Sequence, residues 1–146
     1  MPQIEVRDLR DDLTFGSTVT GLGWDNIDDE SVREQLRQLF KDRGVLVFKN
    51  MEPTAKMQVA VSRIFGPLKD HPTKTTPRDG SDDSASGVID MHYVPGREGD
   101  PYDGGLVEIE GEVLARFSPW HFDHCYNDEL NYAGVLRSPV STPLRG

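Results

Sequence analysis

Arg43-Gly44-Val45-Leu46-Val47-Phe48-Lys49 joins a helix stop to a continuous apolar run, and the neighbouring elements fall into place around it. Glycine enters the left-handed conformation that ends a helix without a Cβ penalty. Val45 to Phe48 are β-favouring and have no polar alternate, the pattern of a strand covered on both faces. Upstream, Val32, Leu36, Leu39 and Phe40 recur at i, i+4, i+7 and i+8, which is one face of a helix ending at Gly44. Asp28-Asp29 offers its N-cap, with Ser31 and Glu34 as an alternative capping box. Arg33, Glu34, Arg37 and Lys41 fall mostly elsewhere on its surface. Downstream, Pro53 suits the first turn of a second helix, whose Met57, Ala60, Val61, Ile64 and Phe65 repeat the one-face spacing until Gly66-Pro67. Both helices read as cover for a sheet, with no chemistry of their own.

Farther out the signals are shorter. Ile4 and Val6 alternate with Glu5 and Arg7 as a short strand, and Thr18-Val19-Thr20 is at best another between glycine turns. Residues 69–86 are polar, rich in Pro, Asp, Ser and Thr, and without periodicity, so they read as a long exposed loop. Gly87 to Met91, Leu106 to Ile109 and Val113 to Ala115 have strand character. Cys125 to Asp128 reads as a turn and Tyr132 to Leu136 as a strand. The carboxylates between Glu98 and Glu112 lack the alternating spacing and terminal glutamate of a calcium loop, so they read as a solvated acidic face.

At 146 residues the chain is at most one domain, large enough for a real core. Its net charge of −9 comes without a basic stripe, which argues against nucleic acid and anionic membrane as partners. The single cysteine, Cys125, excludes an internal disulfide and fits a reducing compartment. The N-terminus has neither a basic nor an apolar leader region and no apolar run reaches spanning length, so the expectation is a cytoplasmic protein.

The candidate site is Trp120-His121-Phe122-Asp123. In an extended strand His121 and Asp123 emerge on one face while Phe122 and His124 point the other way. An imidazole beside a carboxylate fills two of the three positions of a 2-His-1-carboxylate triad, which holds Fe(II) and leaves a face open. His-x-Asp by itself is a weak signal, since such pairs more often form structural hydrogen bonds. Cys125 would share that face if the strand continued, but a small buried thiol is the commoner role.

Taken together, Arg43 to Lys49, the helix through Ile64, Phe65-Gly66-Pro67-Leu68 and Trp120-His121-Phe122-Asp123 resemble the taurine dioxygenase family (TauD/TfdA). The order and spacing agree from about Ile4 to Gly146. That resemblance implies an α+β chain forming the N-terminal part of a double-stranded β-helix (jelly-roll) domain with two flanking helices. It implies an Fe(II)- and 2-oxoglutarate-dependent dioxygenase that uses O2 to hydroxylate a small, anionic organic substrate. His121 and Asp123 would be metal ligands rather than acid–base groups. His71 stands where relatives touch substrate, just after the Phe-Gly stretch, although a loop histidine is usually only solvated.

The family's third iron ligand, a histidine, and its oxoglutarate-binding threonine and arginine would lie beyond Gly146. Neither His71, His92 nor His124 is an obvious substitute. The 146 residues are therefore expected to be the N-terminal portion of a domain (1–146), catalytically inactive alone, with open strand edges that invite association with a second copy. Two rival readings stand beside this one. A non-catalytic truncated paralogue or interaction module would share every motif. A zinc-dependent hydrolase would use His121, Asp123 and His124, but Pro119 occupies the position of its first histidine.

Overall fold

The computed structural model describes residues 4–69, 88–89, 106–115, 121–123 and 128–138. It is a mixed α and β arrangement: a three-stranded sheet, two helices against it and a separate hairpin. Strand β1 (Glu5–Asp8) pairs antiparallel with β2 (Ser17–Thr20), in a register that sets Val6 opposite Val19. Strand β3 (Leu46–Phe48) pairs parallel with β2, Thr18 opposite Val47, so the order is β1-β2-β3. The parallel step is the crossover supplied by helix α1 (Glu30–Arg43).

Helix α1 forms as its spacing dictates. Asp29 is the N-cap, its carboxylate accepting from the Ser31 amide and hydroxyl at 2.8 and 2.6 Å. Those bonds hold the Asp29 carboxyl below its ordinary pKa. Gly44 closes the helix in the left-handed region (φ 72°), donating its N–H to the Phe40 carbonyl at 2.8 Å. Val32 and Leu36 are buried, with Leu39 half-buried beside them. Arg33 and Arg37 do not simply face water. They reach across to α2 (Ala55–Phe65), donating to the carbonyls of Arg63 (2.8 Å) and Ile64 (3.4 Å) at a helix end whose last carbonyls lack intrahelical donors.

Helix α2 begins two residues later than its proline implied. Thr54 is the N-cap, accepting from the Met57 amide, so Pro53 lies outside the first turn. Its Met57, Val61 and Ile64 join Val19, Leu22, Ile27 and Leu36 in the main core. Ala55 and Val59, on a second face, pack against Val88. The loop before α1 is pinned by Asn26, buried yet satisfied: its side chain accepts from Gly23 N–H and donates to the Gly21 carbonyl, both at 2.9 Å.

Two strand expectations change. The Val45 to Phe48 run is not covered on both faces. Residues 46–48 are half-buried, Val45 is exposed, and among the described residues nothing pairs with the outer edge of β3. Residues 132–136 form no strand. They run beside α2, held by Gln58, whose amide donates to the Val135 carbonyl at 2.9 Å and whose oxygen accepts from Arg137 at 3.1 Å. A side-chain amide thereby takes the place of a ladder.

The hairpin β4 (Leu106–Ile109) and β5 (Glu112–Ala115) turns at Glu110-Gly111, both at positive φ (54° and 82°), as a two-residue primed turn requires. The double-stranded β-helix implied by the resemblance is not formed among the described residues. Of the expected 87–91 strand only Val88 and Ile89 are described, Ile89 in an isolated bridge. No described helix is long and apolar enough to cross a membrane.

Candidate metal-binding site

Residues 121–123 are not a strand. Asp123 lies in a turn, and no described strand offers the hydrogen bonds that would keep this stretch extended. The two side chains meet nonetheless: His121 Nε2 stands 3.1 Å from Asp123 Oδ1, with the side chains 65% and 76% exposed. At such exposure an ion pair contributes little to stability. The pair is accessible to a ligand from solvent.

The separation fits a shared cation. Two adjacent ligands, each about 2.1 Å from an octahedral ion, stand about 3 Å apart. The donor types, neutral imidazole and carboxylate, are those that Fe(II) accepts in a facial triad. Among the described residues no third His, Cys, Asp or Glu gathers with them. His71, His92, His124 and Cys125 lie outside the described residues, as does all of the expected 69–86 loop except Lys69.

Asp123 has a second role in the geometry. With Phe122 it borders a cleft of about 550 Å³ whose walls are β3, the ends of α1 and α2, and residues 131–136. Phe122 was expected to turn away from Asp123, but the turn brings both to the same cleft. In its lining, Phe40 packs edge-to-face against Phe65 (5.3 Å between centroids) and against Tyr132 (5.7 Å), a geometry favoured by the ring quadrupoles. The apolar run of β3 supplies one wall because no described element covers it.

The sequence signalled His121 and Asp123 but missed the cleft. Its one trace is the surplus apolarity of Val45 to Phe48, which by sequence reads as a strand covered on both faces. The 131–136 wall carried only a strand pattern, since Gln58 and Arg137 acquire their roles across 77 and 79 residues of sequence.

No curated protein and no solved structure matches the chain. One family does, over residues 5–146, nearly the whole length and including both segments that frame the cleft. The chain belongs to the taurine catabolism dioxygenase TauD, TfdA family.

Proposed function

We propose that this chain carries two iron ligands of an Fe(II)- and 2-oxoglutarate-dependent dioxygenase that hydroxylates a small organic substrate. The observation that carries the reading is the 3.1 Å approach of His121 Nε2 to Asp123 Oδ1 at the border of the apolar cleft. Bound there, the iron with oxoglutarate and O2 would supply the oxidising power that no side chain possesses.

The chain's own residues do the rest. His121 presents a neutral nitrogen and Asp123 an anionic oxygen, so the pair neutralises half of a divalent charge and orients the ion toward the cleft. Phe40, Phe65 and Tyr132 give the cleft an aromatic surface against which an organic ligand can pack. His71, which follows the Phe65-Gly66 stretch in the sequence, is assigned a substrate contact by the family pattern. The family's third histidine and its oxoglutarate-binding threonine and arginine are not matched within these 146 residues, which alone are proposed to bind iron weakly and to be inactive.

The test is anaerobic Fe(II) titration of the chain and of His121→Ala and Asp123→Asn, with circular dichroism as a folding control. Each substitution is expected to weaken binding about tenfold or more while the dichroism is unchanged. Wild-type affinity in both variants would refute the assignment.

A further inference from the structure

Residues 132–137 keep the alternation of an extended strand although no strand forms there. Ala133, Val135 and Arg137 are half-buried, while Tyr132, Gly134 and Leu136 are exposed. Val135 packs against the main core, and Tyr132, from the other set, lays its ring against Phe40 in the lining of the cleft. In a sheet the register of such a segment is set by ladder bonds, and a slip of one residue exchanges its two faces. Here side chains set it. Gln58, on α2, donates to the Val135 carbonyl at 2.9 Å and accepts from Arg137 Nε at 3.1 Å. Arg137 reaches on to the Pro53 carbonyl at 2.9 Å, just ahead of the Thr54 cap. At the other end Lys69 donates to the Glu129 carbonyl. Apolar packing is non-directional and does not by itself choose between Val135 and a neighbouring Ala133 or Leu136 for the place against the core. The hydrogen bonds do, because only one carbonyl and one guanidinium match the reach of Gln58.

We propose that Gln58 and Arg137 are positioning residues for the metal site: by fixing the register of residues 131–136 they place Tyr132 at the cleft that Asp123 borders. Neither touches the ion. They act through the Val135 carbonyl and the backbone that carries Tyr132 to the wall facing β3. This rests on the reading of His121 and Asp123 as metal ligands. It makes α2, which supplies no ligand, the frame for one side of the centre.

The test labels the chain with 3-fluorotyrosine, assigns the Tyr132 signal by Tyr132→Phe, and adds Mn(II), whose unpaired electrons broaden nearby fluorine signals. Bound Mn(II) is counted by electron paramagnetic resonance, and the share held by the pair is the part lost in His121→Ala. The wild-type Tyr132 signal should broaden as that share fills. In Gln58→Ala and in Arg137→Ala the broadening per bound Mn(II) should fall by about half or more, since each removes bonds that hold the segment in register. Mn(II) affinity and far-ultraviolet dichroism should stay as in wild type. Gln58→Glu loses the donor to Val135 but keeps the acceptor for Arg137, and reads the same loss should the alanine variant fail to fold. Val32→Ala, which thins the main core on α1, should keep the wild-type broadening and so separates positioning from general loosening.

Wild-type broadening in either clamp variant, or an equal loss in Val32→Ala, would overturn the proposal and leave the metal reading standing. A wild-type Tyr132 signal that stays sharp with Mn(II) bound at the pair would do the same. Absence of Mn(II) binding, or binding unchanged in His121→Ala, would remove the metal reading itself, and the positioning role with it.

Discussion

Replacing Gly44 by alanine should destabilise the fold by about 1–2 kcal/mol, the cost of holding an L-residue in the left-handed region. The magnitude can be isolated because Gly44 sits at φ 72° and a Cβ built there meets nothing within 4 Å, so no clash contributes. Gly16 is the contrast. Its φ is 80°, and its Cβ would come within 2.8 Å of Leu9 Cδ2 and 3.1 Å of Leu9 Cβ. Gly16→Ala therefore adds a displaced leucine to the same backbone strain, and should cost about 1 kcal/mol more than Gly44→Ala. Asparagine tolerates the left-handed region, so Gly44→Asn should cost less than Gly44→Ala. Urea unfolding followed by far-ultraviolet dichroism reads all three. With a slope of about 2 kcal/mol per molar urea, Gly44→Ala should lower the midpoint by roughly 0.5–1 M. An unchanged midpoint for Gly44→Ala, or a larger loss there than at Gly16, would refute the account of how α1 ends and β3 begins.

Other outcomes follow from the same geometry. Leu36 is fully buried between the helices and the sheet, so Leu36→Ala should cost about 2–5 kcal/mol in the same denaturation experiment. Glu52 accepts from the Thr54 hydroxyl (2.7 Å) and the Trp24 indole (2.6 Å), which hold its carboxyl below the ordinary range. A carboxyl with a lower pKa folded than unfolded stabilises above its unfolded value and loses that contribution as pH falls through the folded one. Wild type should therefore lose more stability than Glu52→Gln as pH drops below about 4.3, with Trp24 fluorescence shifting in wild type alone, read in a Trp120→Phe background. Gln58→Ala removes the amide that holds the Val135 carbonyl, and hydrogen exchange should accelerate across residues 134–137 while α1 keeps its protection.

The local grammar was legible in the sequence because it depends on near neighbours. The left-handed stop at Gly44, the cap at Asp29, the core faces of Leu36 and Ile64 and the strand at Leu106–Ile109 all follow from backbone preference and periodicity. The proline rule failed by two residues because the Thr54 hydroxyl caps the helix by accepting from the Met57 amide. The two-residue spacing of His121 and Asp123 reads in sequence as strand alternation, but the structure brings the two side chains together through a turn at Asp123, which also brings Phe122 to the cleft. Tertiary structure alone decided that β3 is an edge among the described residues and that Arg33 and Arg37 satisfy the end of a different helix. It alone decided that residues 131–136 face β3 across a cavity. Each of these depends on which distant group arrives to satisfy a hydrogen bond or cover an apolar face, and periodicity along the chain carries no record of that partner.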